Sequence, residues 1–340
     1  MAIMNNKYES RSLNIELLRI ISMLLVMVIH YNVPINGQPH HDMVMDEPMK
    51  ALGISLLKSI SFICVNLFIL ISGYFGIRWK WKGLSNYLFQ IFFWAIAVYF
   101  ICVAFQIHSF RLSSFIHQIV FCLGYNWFFT VYLGLYMMAP ILNSFIDNND
   151  EKRIGQVLVA FYLFQTIFGY ILKNRYEFNQ GLTIMSFVGL YIIGGYLRKT
   201  TCSLFQLSTK DNLKIYFFLT IALTLVSVIA NYLNFSKDVF SYINPIAILQ
   251  TIFLFLCFAK MTILRGKKII LFYSSSAFAG LLSHSFSGAL LYGIMLEWID
   301  KSLPFPFIWT IAAILLWFSI AVLIDKSRMW CYNHSFGKWL

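Results

Sequence analysis

Three ionisable side chains stand within one long apolar run near the start of the chain. From Asn14 to His30 the run carries Glu16, Arg19 three residues later, and His30 eleven residues beyond the arginine. On a helix Glu16 and Arg19 share a face and can neutralise each other. Eleven steps of about 100° return to within about 20° of the starting direction, and at about 1.5 Å per residue they set Arg19 and His30 roughly 16 Å apart along one stripe. An ionisable group inside a membrane span costs about 2.5–3.5 kcal/mol, so each needs a partner or a purpose. Imidazole is the side chain that takes up a proton near neutral pH, as a general base must. Taken singly, Arg19 fits a side chain reaching to the headgroups and His30 a hydrated interfacial histidine. The stripe they share with Glu16 tilts the reading towards a common polar cavity.

A second constellation runs from Asn66 through Ser72-Gly73-Tyr74 and Gly76 to Arg78, Lys80 and Lys82. Small residues at 72, 73 and 76 permit close backbone approach. On composition alone this is a tightly packed helix end whose basic residues set topology. The functional alternative is a cationic mouth that grips phosphates. Further along, Asn126, Trp127, Tyr132 and Tyr136 could hold and stack on a sugar ring, or could form part of an interfacial aromatic belt.

The elements that must carry these residues are membrane helices. Of 340 residues 59% are hydrophobic and 12% charged, against about 45–50% and about 25% in soluble domains. That excludes a soluble globular protein, and the alternating pattern of a transmembrane β-barrel is absent. Apolar stretches fall near 13–33, 54–77, 84–106, 126–146, 154–173, 181–197, 213–234, 242–260, 273–296 and 305–325, so the expected fold is all-α, a polytopic bundle of about ten spans. The segment 107–125, with His108, Arg111 and His117 among apolar residues, reads as an interfacial helix.

Eighteen of the 26 Lys and Arg residues lie in connections on one side of this arrangement and six on the other. The positive-inside rule then makes both termini cytoplasmic. The net charge of +12 is therefore a topology signal, and nucleic acid is not expected as a partner. The six cysteines show no CxxC spacing and read as small hydrophobes. Lys58 is expected to snorkel from the outer end of the second span. Pro39-His40-His41-Asp42 reads as a solvated loop rather than a metal site. No hydrophilic stretch is long enough for a soluble domain, so residues 1–340 are expected to form one membrane-embedded unit.

Glu16-x-x-Arg19 with His30 eleven positions on, followed by Leu67-Phe-Ile-Leu-Ile-Ser72-Gly-Tyr74 leading to Arg78, resembles the membrane acyltransferase family 3. Asn126-Trp127 through Tyr136 to Pro140, the Tyr191–Arg198 span end and Leu281-Leu-Ser-His284 are similar to stretches of its polysaccharide-modifying members. The resemblance implies an O-acyltransferase using cytoplasmic acyl-CoA, usually acetyl-CoA, as donor substrate, with no bound cofactor and no metal. The acceptor would be a hydroxyl of a cell-surface polysaccharide or its lipid-linked precursor, with membrane lipid around the protein. It implies His30 as the catalytic histidine, Arg19 as the essential arginine and Glu16 at the acidic position before it. Arg78 would hold CoA phosphates, helped by Ser72, Lys80 and Lys82. Asn126, Trp127, Tyr132 and His284 are candidates for the acceptor side. Departures from the family pattern fall at Leu67-Phe68 and at Lys80 and Lys82, where a second arginine is usual. The alternative is a multispan transporter or flippase for a lipid-linked glycan, disfavoured because the chemistry-bearing groups concentrate in the first two spans.

Overall fold

A computed structural model describes residues 12–173, 177–235, 239–286 and 306–335, and among these every regular element is helical. All ten apolar stretches contain helix, and 273–296 and 305–325 lie partly outside the described residues. Among the described residues, seven helical segments are long and apolar enough to cross a membrane, which makes the chain a polytopic helical membrane protein. Two further stretches fold as 16-residue helices, Ile184–Lys199 and Pro245–Lys260, each shorter than the roughly 20 residues of a full perpendicular span.

The chain forms two compact units, one of residues 1–78 and 131–271 and the other of residues 79–130 and 272–340. In the first unit α1 (Leu13–Asn36) is one unbroken helix. A short helix α2 (His41–Asp46) precedes α3 (Pro48–Ser61), which turns at Phe62-Ile63 into α4 (Cys64–Phe75). Gly76 ends α4 with φ of +74°, a conformation glycine adopts without a Cβ penalty. Then follow α7 (Trp127–Asn148), which belongs to this unit from Val131 onward, α8 (Glu151–Phe164) with a π-helical extension to Ile171, α9 (Ile184–Lys199), α10 (Thr209–Tyr232) and α11 (Pro245–Lys260). The intervening α5 (Trp81–Ala104) and α6 (Leu112–Val120) belong to the second unit.

Helix starts are written locally. Asp150, Ser208 and Asn244 each accept a hydrogen bond from a backbone N–H of the first turn that follows, and Pro245 occupies the first turn of α11. Helix ends use the same basic residues that bias topology. Lys199 donates to the carbonyls of Ile146, Asp147 and Asn149 at the end of α7, and Lys260 to those of Phe205 and Leu207.

Packing in the first unit relies on small residues and a polar seam. A Cβ on Gly73 would lie 2.0 Å from the Tyr191 carbonyl oxygen, and one on Gly194 would lie 2.4 Å from that of Leu70. Helices α4 and α9 therefore cross backbone against backbone, as membrane helices do where glycines coincide. Between α3, α10 and α11, Thr224 donates to Ser59 Oγ at 3.0 Å, and Gln250 donates to the Ser59 carbonyl at 3.0 Å and to Thr220 Oγ1 at 2.7 Å. These buried bonds satisfy groups that lipid could not.

In the second unit α6 shows three well-exposed apolar residues at successive turns, Leu112, Ile116 and Val120. Its other face is pinned by Gln118, which donates to the Ala95 carbonyl at 2.6 Å. The amphipathic pattern fits the expected interfacial helix. The remaining helices are α12 (Lys267–Ser274), within which the chain passes from the first unit to the second, then α13 (Ala279–Ser285) and α14 (Pro306–Ser335). The 30-residue α14 runs ten residues past the end expected from hydropathy. Arg328, placed by sequence in a basic connection, is consequently inside a helix and 2% exposed. It donates to Asp325 at 2.8 Å and to Asn86 at 2.7 Å, while Gln90 and Trp94 donate to the same carboxylate at 3.0 and 3.2 Å. A hydrogen-bonded ion pair of this kind is what allows a charge into a helical core.

Candidate active site

Helix α1 carries the first constellation as its periodicity requires. Arg19 Nη1 donates to Glu16 Oε1 at 2.9 Å, with the carboxylate buried and the guanidinium side chain 34% exposed. The guanidinium thus neutralises a carboxylate that hydrocarbon would not tolerate alone, while keeping part of its surface open to a ligand. Below the pair, Asn14 donates to the Phe258 carbonyl at 2.6 Å and ties α1 to the end of α11. At the far end of the stripe His30 is exposed, and its Nδ1 lies 2.8 Å from the Val26 carbonyl oxygen. A carbonyl only accepts, so in the neutral ring this contact puts the proton on Nδ1 and the basic lone pair on Nε2. The unbroken helix keeps His30 roughly 16 Å along the axis from Arg19, so the two side chains serve opposite ends of one face.

The second constellation is built by three helices that converge on the turn after Gly76. Tyr191, fully buried on α9, accepts from the Ile77 N–H at 2.7 Å and donates to Asn143 Oδ1 at 2.7 Å. Asn143 in turn donates to the Ile77 carbonyl at 2.8 Å, and Tyr136 donates to the Arg78 carbonyl at 3.4 Å. Arg198 pairs with Asp147 at 3.0 Å, and one of its guanidinium nitrogens would lie 3.9 Å from a Cβ on Gly76. The backbone of Arg78 is thereby fixed while its side chain is exposed. Ser72 donates to the Phe68 carbonyl at 2.8 Å and stands 3.4 Å from the Tyr132 hydroxyl. The result is a hydrogen-bonded helix end that holds the backbone of Arg78 in place, with its side chain exposed as a phosphate-binding group requires.

The remaining site candidates separate. Lys80 and Lys82 follow in the chain but lie in the second unit, exposed, with the Lys82 carbonyl accepting from Tyr332 at 3.1 Å. Asn126 caps its helix by accepting from the Phe128 N–H at 2.9 Å and donates to Ser285 at 3.1 Å, next to buried His284. The Nδ1 of His284 lies 2.7 Å from the Gly280 carbonyl oxygen. Trp127 stacks edge-on with Phe128. Tyr132 belongs to the first unit, where its hydroxyl stands 3.4 Å from Ser72 Oγ.

Lys58 departs from expectation. Helix α3 begins at Pro48, six residues before the predicted span, so Lys58 sits ten residues inside it. The side chain is buried, bonds to Gln38 and lies with Nζ 4.4 Å from the Phe240 ring centroid. Sequence reasoning also passed over Asn143, whose role depends on Ile77 and Tyr191, distant in sequence. His40 and His41 turn to separate carbonyls, those of Gln38 and of Asn231 and Tyr232.

The described helices define a polytopic helical membrane protein with an ion pair on its first helix and a hydrogen-bonded turn after Gly76. The family model described as "Acyltransferase domain" matches residues 12–325, and the chain belongs to that family. A search of curated proteins and one of solved structures returned no match. Membership makes the protein a membrane acyltransferase and weighs against a transporter.

Proposed function

We propose that this acyltransferase is an O-acetyltransferase, moving an acetyl group from cytoplasmic acetyl-CoA to a hydroxyl of a cell-surface polysaccharide or its lipid-linked precursor. Both termini are then cytoplasmic, as is the Arg78 end of the first unit, while His30 faces the outer side. The observation that carries the reading is His30, with Nδ1 2.8 Å from the Val26 carbonyl oxygen, at the outer end of the helix face that also bears the Glu16–Arg19 pair.

Arg78 binds the phosphates of the donor. Arg19, roughly 16 Å from His30 along α1, meets the donor on its way to the imidazole and does not touch the proton in flight. His30 Nε2 takes the proton of the acceptor hydroxyl as its oxygen attacks the thioester carbonyl; the C–S bond then breaks and CoA leaves as the thiol once protonated. The test is label transfer from acetyl-CoA to glycan in membranes carrying the chain, beside His30→Ala at equal abundance. Loss of transfer in the variant, with unchanged thermal stability, is the expected result. Full activity without the imidazole would refute the assignment.

A further inference from the structure

In the second unit a cavity of about 850 Å³ lies against the interfacial helix α6. Apart from Phe286, its walls come from the continuous described stretch 99–125, and Arg111, His108, His117, Ser113 and Ser114 are among its polar lining. The wall is fixed from behind. The Tyr99 hydroxyl accepts from the Arg111 N–H at 3.0 Å and donates to the Arg111 carbonyl at 2.7 Å, while the Gln118 bond to Ala95 holds the helix that follows. The backbone of Arg111 is therefore set and its side chain is exposed. Among the described residues no hydrogen bond or ion pair engages its guanidinium, and none engages the ring nitrogens of His108 or His117. Those two rings rest against Tyr99 and Phe121, with centroids 5.0 and 4.7 Å apart.

The helix sorts its side chains in a way that says where the cavity lies. At about 100° per residue, Leu112, Ile116 and Val120 fall on one arc of about 80°, and Ser113, His117 and Ser114 on the adjoining arc of about 100°. The first arc is exposed and apolar, as in a helix seated at the edge of the hydrocarbon, and the second lines the cavity at headgroup level. A guanidinium is the side chain that pairs most closely with phosphate oxygens, and imidazole and serine hydroxyls add further donors. The volume, within the range of about 300–1,000 Å³ for small-molecule pockets, leaves room for the polar substituent beyond the phosphate. A headgroup carrying its own ammonium would bring like charge to Arg111. We propose that this cavity binds the phosphodiester of an anionic phospholipid, with its oxygens on Arg111 and its acyl chains beside the apolar arc of α6. The proposal stands apart from the acyltransfer reading and concerns the second unit by itself.

The test uses the full chain, purified in mild detergent, and its first arm needs no variant. The protein is titrated with phosphatidylglycerol and with phosphatidylcholine of the same acyl chains, and bound lipid is counted by native mass spectrometry. Phosphatidylglycerol should occupy one site about tenfold or more tightly, as expected for a hydrogen bond to a charged group. Arg111→Gln should erase that difference without lowering the melting temperature, since the side chain holds no other part of the chain. Lys152→Gln, which removes an exposed cation of the first unit, should leave it intact. Inorganic phosphate and glycerol 3-phosphate, which carry the same group without acyl chains, should fail to displace the lipid at equal concentration. Equal binding of the two lipids overturns the proposal, as does a preference that survives Arg111→Gln or that Lys152→Gln abolishes as fully. Displacement by inorganic phosphate would make this a site for a soluble anion and would overturn the assignment to lipid.

Discussion

The crossing of α4 with α9 makes a quantitative prediction, because it is set by atoms that cannot rotate away. A Cβ on Gly73 would fall 2.0 Å from the Tyr191 oxygen and 2.7 Å from its Cα, and one on Gly194 would fall 2.4 Å from the Leu70 oxygen and 2.5 Å from the Tyr74 nitrogen. A relaxed carbon–oxygen contact is about 3.3 Å, so Gly73→Ala forces the helices apart by about 1 Å. A gap of that size forfeits about a quarter to a half of each contact along the seam. Overpacking costs about 1–3 kcal/mol, and a seam opened along its length belongs at the upper end. About 3 kcal/mol corresponds to a fall in Tm of about 6–12 °C for a unit of this size. Displacement of α9 also pulls Tyr191 off the Ile77 turn, so acyltransferase activity should fall with stability. The assay is thermal unfolding of detergent-solubilised protein for Gly73→Ala and Gly194→Ala. Gly53→Ala is the internal control, since a Cβ there meets nothing within 4 Å and a helical Gly→Ala exchange stabilises by about 0.5–1 kcal/mol. Unchanged melting in both seam variants, or an equal loss in the control, would refute the backbone-contact argument.

Two other perturbations test the polar framework. Tyr191→Phe removes the acceptor of the Ile77 N–H and the donor to Asn143, at about 1–3 kcal/mol; in acyltransferase kinetics the KM for acyl-CoA should rise several-fold with kcat at saturation retained, and an unchanged KM would dissociate the turn from donor binding. Asp325→Ala strands the buried Arg328 guanidinium at about 3–5 kcal/mol, whereas replacing both partners with leucine should recover much of the lost melting temperature; a single variant as stable as wild type would show that the pair contributes nothing.

Much of this architecture is a property of the local chain. The apolar runs, the capping residues Asp150, Ser208 and Asn244, and the shared face of Glu16, Arg19 and His30 all follow from helical geometry and hydropathy, which act over a few residues. The three-residue spacing of Glu16 and Arg19 sufficed to foresee their ion pair, now seen at 2.9 Å. Span edges were less legible. Hydropathy began the second span at 54 and ended the last at 325, so Lys58 and Arg328 read as surface charges. In the fold the helices begin at Pro48 and end at Ser335, and both charges are buried because Gln38 and Phe240 receive Lys58, while Asp325 of the same helix and Asn86 from far along the chain receive Arg328.

Which helix faces meet was decided only by tertiary structure. Ser72-Gly73-Tyr74 showed that something could approach closely, but not that Gly194 would be the partner. That crossing delivers Tyr191 to Ile77, 114 residues earlier in the chain, and Asn143 to Tyr191 across 48. A cavity lined by Ile29, Lys58 and Phe240 likewise takes its walls from six separate stretches of the chain. Helical periodicity fixes the direction of each side chain about its own axis, whereas the pairing of faces depends on the fit of whole surfaces, a property of shape that no local pattern of residue types encodes.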